Sequence, residues 1–170
     1  MLAILWIGLL AAPAVKTAQE GEAGAFLSAV AGAWKGSAVR TPAGPFTYDI
    51  EFSADATGCR SGVAEPGGTH HRWMFCPAAD SLELEFLSDF RGNDRPMLLP
   101  LETVDDGTLV FHSQTLDFLK VLARIERDCL RLQVLHHDRL HVEIHLRRAG
   151  TGTEDEAGAC PWPVPVSENQ

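Results

Sequence analysis

The sequence is short of positive charge: 14 Lys and Arg stand against 23 Asp and Glu, giving a formal net charge of −9 and a pI near 5.1. Without a basic face to neutralise phosphates, nucleic acid and anionic membrane surfaces are not expected as partners. A neutral or apolar small molecule suits this balance better. The chain has no C-x-x-C pair, which sets aside the spacing of a zinc site, and no metal is expected. It also has no Ser-His-Asp sequence context, no phosphate-binding glycine loop and no H-E-x-x-H helix. Nothing in it spells a reaction, and the chain is read as a non-enzyme.

A run long enough to span a bilayer is missing too. The longest apolar stretch, "LAILWIGLLAAPAV" at residues 2–15, reaches only about 21 Å as a helix, against a hydrocarbon core of roughly 30 Å. It has secretory-signal length, and Ala12, Pro13 and Ala14 place small residues where a signal peptidase reads them. Cleavage after Ala14 is expected, with a secreted or periplasmic product, no stable membrane insertion afterwards, and a monomer. What remains is the material of one globular domain: 45% of the chain is hydrophobic, with 15 Gly and 10 Pro for turns. The organisation expected is a signal at 1–14, a folded domain at 15–148 and an extended tail at 149–170 tethered through Cys160.

After the signal, "EAGAFLSAVAGAW" sets Phe26, Leu27 and Val30 on one helical face, with Gly32 placed to end the helix. From there the period changes to two. Phe46, Tyr48, Ile50 and Phe52 alternate with polar residues, as do Leu82, Leu84 and Phe86. Further strand-like runs at 34–40, 58–65, 70–76, 98–104, 108–114, 118–126, 129–136 and 139–147 are separated by turn clusters such as "EPGGT", "RGNDRP" and "VDDGT". Some ten short strands with one apolar face must pair as two sheets or close into a barrel. Register can be tested at the turns. A two-residue turn at Arg127 and Asp128 sets Ile125 opposite Leu130, Ala123 opposite Leu132 and Val121 opposite Val134. A three-residue turn at His137, Asp138 and Arg139 sets Val134 opposite Val142, Leu132 opposite Ile144 and Leu130 opposite Leu146.

The same register turns His141, Glu143 and His145 outward beside Leu135, Gln133 and Arg131, while His136 is expected inward near the hairpin end. The outward row reads as a solvated strand face, in which Arg131 pairs with Glu143 or flanks His145. Its alternate spacing could also supply ligands to a divalent metal.

Four cysteines in an exported chain read as two disulfides. If Pro66 to Thr69 form a four-residue hairpin loop, Cys59 falls opposite Cys76, at a separation a disulfide spans. That leaves Cys129 for Cys160 and pins the tail "CPWPVPVSENQ" to the outside. The face of this hairpin stays open: one register lines the interior with Trp73 and Phe75, the other with Arg72 and Met74, and bulk favours the first.

The tripeptide Gly32-Ala33-Trp34 follows a short helix and opens the first strand, and Arg147 and Arg148 follow the last. This resembles, distantly, the lipocalin and calycin superfamily, in which a G-x-W tryptophan plugs the closed end of an up-and-down barrel beneath a late arginine. The resemblance implies an antiparallel up-and-down barrel of about 8–10 strands with a short N-terminal helix, and Arg148 stacked on Trp34. It also implies a non-enzymatic carrier or sensor for a small apolar or amphipathic ligand. The interior wall would be Tyr48, Ile50, Phe52, Trp73, Phe75, Leu84, Phe86, Phe111, Val121, Leu132 and His136, with an inward Arg60 or Arg72 as a carboxylate anchor. No cofactor is expected on that reading. A second resemblance, to nitrobindin-type barrels, rests on "GAWKG" and "LHHDRLHVEIHLRR" and implies haem held by His141 or His136. A third possibility is a filled barrel without a ligand, acting as an envelope interaction module.

Overall fold

The computed structural model describes residues 12–79, 81–89, 93–150 and 160–162, with side chains from residue 21 onward. Most of the expected signal and most of the tail lie outside the described residues. The chain forms one helix, α1 (Ala12–Val30), followed by β1 (Gly32–Arg40), β2 (Phe46–Ala54), β3 (Arg60–Ala64), β4 (His71–Ala78) and β5 (Ser81–Ser88). Then come β6 (Met97–Asp105), β7 (Thr108–His112), β8 (Leu119–Glu126), β9 (Cys129–His136) and β10 (Arg139–Arg148). Each strand pairs antiparallel with its sequence neighbours, and β1 pairs with β10, so the sheet closes as an up-and-down barrel. This all-β architecture with an N-terminal helix is the one expected, and it is consistent with a calycin-like fold. The helix is longer than its apolar face predicts and runs unbroken through Ala14 and Val15. Among the described residues no helix is long and apolar enough to cross a membrane.

The alternation read from β2 and β5 appears as burial: Tyr48, Ile50 and Phe52 face in, as do Leu82, Leu84 and Phe86. Closing the ring requires β1 and β10 to approach closely. Gly36 makes this possible, because a Cβ there would lie 2.1 Å from the His145 carbonyl oxygen. Register shifts within β1–β10, β9–β10 and β6–β7 supply the local bends a closed sheet needs.

In an up-and-down barrel the connections alternate between the two ends. The closed end holds α1, whose Ala23, Phe26 and Val30 are buried, Phe26 meeting Phe75 edge-on at 5.0 Å between centroids. Gly32, at φ +106°, stops the helix and turns the chain into β1. Trp34 Nε1 then donates to the Val30 carbonyl at 2.8 Å. The Arg148 guanidinium lies 4.3 Å from the Trp34 ring centroid and donates to the carbonyls of Ala29 and Ala31. A cation thus caps the carbonyl-rich C-terminus of α1 while stacking on an indole.

Both disulfides sit at this end. Cys59 bonds Cys76, with Cα atoms 4.2 Å apart, and Cys129 bonds Cys160 at 5.8 Å. The hairpin carrying the first pair has the preferred face: Trp73 and Phe75 are buried, and Val63 lies opposite the outward Arg72.

The β8–β9 and β9–β10 pairings follow the predicted partners, with one correction. The second turn has two residues, not three. His137 and Asp138 both have positive φ, which forms the tight turn favoured between twisted strands, and the extra residue is absorbed as a bulge between Leu140 and Val142. His136 is the second correction. It shares parity with Val134, but it pairs with Arg139 next to the turn and is exposed, since the strand has passed the rim of the barrel.

Candidate functional site

Ten of the eleven predicted wall residues are buried together: Tyr48, Ile50, Phe52, Trp73, Phe75, Leu84, Phe86, Phe111, Val121 and Leu132. They pack mainly on one another. The Phe75 ring lies 5.8 Å from both Phe52 and Phe111, and Trp73 lies 4.3 Å from Phe86. Gly62 brings bare backbone under this cluster, a Cβ there meeting Ile50 and Phe52 at 2.8–2.9 Å. The lower and middle barrel is therefore filled by side chains and by α1.

Packing is less complete at the other end. There the inward-facing positions are half-buried apolar residues, Phe46, Met97 and Val142, with Leu116 and Phe118 from the connection before β8. Six of the seven histidines stand at this end: His70, His71, His112, His136, His137 and His141. Two concavities indent the outer side of this end, apart from the inward-facing ring. One, of about 360 Å³, is lined by His112, Asp117, Phe118, Lys120, His137 and Asp138. The other, of about 350 Å³, is lined by Phe46, Thr47, Asp49, Glu65, Pro66 and Gly67. His136 stacks among Phe118, His137 and His141 at 4.5–6.3 Å between centroids. Among the described residues no group of three or more His, Cys, Asp or Glu is arranged to hold a metal ion.

A polar chain descends from the mouth into the apolar interior. Trp73 Nε1 donates to the Tyr48 hydroxyl at 2.7 Å, and that hydroxyl lies 3.0 Å from His71 Nδ1. Burial pushes the hydroxyl of Tyr48, the single tyrosine, well above the usual phenol range. His71 is pushed below its ordinary value, chiefly by burial, against the charge of Asp89 and with the charge of His70. The sequence gives a signal for His71 that the predicted wall did not use: it shares the inward parity of Trp73 and Phe75.

Neither candidate anchor presents a cation to the interior. Arg72 points outward and binds Glu85 at 2.5 Å. Arg60 has inward parity but turns back on the carbonyls of Gly58 and Cys59 at 3.0 and 3.3 Å.

The outward row also departs from expectation. His141 is exposed, but Glu143 is only 3% exposed. It accepts bonds from Arg131 at 2.5 and 2.8 Å and from Gln133 at 3.2 Å, and it lies 3.0 Å from His145 Nε2. Trp162, carried in by the Cys129–Cys160 disulfide, covers this group, its ring 5.9 Å from both His145 and the Arg131 guanidinium carbon. Around Glu143 the face is therefore covered by Trp162 rather than wet.

Haem does not fit the residues present. His136 and His141 are exposed at the rim, and Val134, Leu132 and Leu119 fill the space behind them. Compared with protein-family models and with curated proteins, the chain matches none.

Proposed function

We propose that this protein is an exported, non-enzymatic, calycin-like barrel that binds a small amphipathic molecule at its open mouth. The ligand would rest in the half-buried ring of Phe46, Met97, Val142 and Phe118 around His71, above a filled interior. Apolar side chains left half-buried at one end are where a small ligand can gain from leaving water. The observation that carries the reading is the polar chain from Trp73 through Tyr48 to the half-buried His71. Polar groups sunk in an apolar core add little net stability over well-packed apolar ones, so a barrel built only to be stable has little use for them. Export is supported by the apolar leader and by two disulfides, which suit an oxidising compartment. The acidic balance argues against a phosphate-bearing partner, and the protein is expected to act as a monomer.

Titration with Nile red, a neutral solvatochromic dye, tests the reading. A saturable blue shift is expected, weakened several-fold in Phe46→Ala and Met97→Ala while the unfolding midpoint changes little. A signal that rises without saturating speaks for the second reading, a filled barrel serving as an interaction module. That reading is favoured by the aromatic packing around Phe75.

A further inference from the structure

We infer that the mouth selects a neutral, apolar molecule bearing a carbonyl-type hydrogen-bond acceptor, received by the Nε2–H of His71. This rests on the mouth-binding reading above and specifies the ligand it takes. The argument runs on proton counting. An indole nitrogen can only donate, so the Tyr48 oxygen must accept from Trp73. The single phenolic proton is then free to go to His71 Nδ1, 3.0 Å away, and in that arrangement Nδ1 offers its lone pair. A neutral imidazole accepting at Nδ1 carries its proton on Nε2. Tyr48 is held in its protonated form by burial, and the same burial favours neutral His71, so the assignment is stable near neutral pH.

Among the described residues Nε2 has no hydrogen-bond partner, and it is not sealed from solvent. On that assignment His71 presents an N–H donor bordered by Phe86 at 6.0 Å and, through the pairing of Phe86 with Met97, by the apolar rim. Of the charges that act on it, the larger influence is the carboxylate of Asp89 and the smaller is the charge of His70. Asp89 acts on His71 directly, accepts a bond from the His70 backbone N–H, and Glu65 stands 3.7 Å from His70. A carboxylate would meet this negative border, and an ammonium would meet an N–H pointing at it. Both imidazole nitrogens are engaged, one as acceptor from Tyr48 and one by its own proton, so neither offers a lone pair to a metal or to haem iron. A neutral oxygen acceptor on an apolar body satisfies every group.

The test is calorimetric titration of the full chain, disulfides intact, at neutral pH with 2-decanone, decanoate and decylamine. The imidazole tautomer is read in parallel by ¹⁵N NMR. The ketone is expected to bind roughly ten-fold tighter than either charged homologue, about the discrimination a single hydrogen bond supplies. His71→Ala should erase that preference. His71→Gln, whose amide retains an N–H donor, should keep part of it, and Tyr48→Phe, which frees the imidazole to change tautomer, should reduce it. The NMR spectrum should show His71 protonated at Nε2 and bare at Nδ1. Three ligands binding at the mouth with equal affinity, or a preference that survives His71→Ala, would overturn the inference and leave mouth binding standing. A proton found on Nδ1 overturns it whatever the affinities. No binding by any ligand, with no saturable dye signal, overturns the mouth reading and this inference with it.

Discussion

Glu143 has outward parity on β10 and is nonetheless, with Ser113, one of the two buried polar or charged residues among the described residues. Its burial opposes ionisation, but the contacts from His145 and Arg131 outweigh that cost and hold the carboxyl below its ordinary value of 4.5. Glu143→Gln keeps the shape and removes the charge. It is expected to cost about 1–3 kcal/mol, the penalty of leaving charged donors poorly matched. The sign with pH follows from the lowered value. The contribution is complete above 4.5 and disappears as pH falls through the folded-state value. Urea unfolding of both proteins from neutral pH downward should show the gap between them narrowing in acid. A gap that stays constant would mean that the carboxylate charge is not what Arg131 and His145 hold. The polar character of this group was legible from strand parity, and so was its pairing with Arg131. Its burial was not, because the cover is Trp162, brought from outside the strand by a disulfide with a sequence separation of 31 residues.

At the scale of the element, what local pattern determines was readable and what depends on the rim was not. Period-two alternation set out the ten strands. Matching apolar residues across the turns gave the partners in β8, β9 and β10, and the hairpin loop at 66–69 gave the Cys59–Cys76 pair. Parity also put His136 inside, but parity only says which side of a strand a residue takes, and beyond the rim the inner side faces water. A bulge instead of a longer turn gives the same pairs beyond Leu140, so the partners alone could not separate the two. Two expectations belong here. Gly36→Ala places a methyl group against the His145 carbonyl where β1 meets β10. It should cost several kcal/mol, on the order of overpacking a rigid core, and thermal unfolding should show a much lower midpoint or no folded protein. Replacing Cys129 and Cys160 with serine should lower stability by about 2–4 kcal/mol. It should also red-shift tryptophan emission as Trp162 leaves its cover, and unchanged emission would show that the indole docks without its tether.

Over the whole molecule the two ends divide the work. The helix, the stack of Arg148 on Trp34 and both disulfides gather at the closed end, while six histidines and the half-buried apolar ring gather at the other. Such a division lets the mouth hold residues that add little to stability, because the fold is fastened elsewhere. The closed-end features were visible in the sequence as G-x-W, a late arginine and paired cysteines. The mouth was not, since its ring is assembled from the far ends of strands distant in sequence, and the predicted wall described the packed core below it. The central claim, ligand binding at the mouth, is tested most directly by NMR chemical-shift mapping during titration with 2-decanone. Saturable shifts confined to Phe46, His71, Met97, Val142 and their neighbours, with Phe26, Trp34 and Leu130 at the closed end unmoved, are the predicted result. Shifts that grow without saturation, or that centre on the closed end, would contradict it.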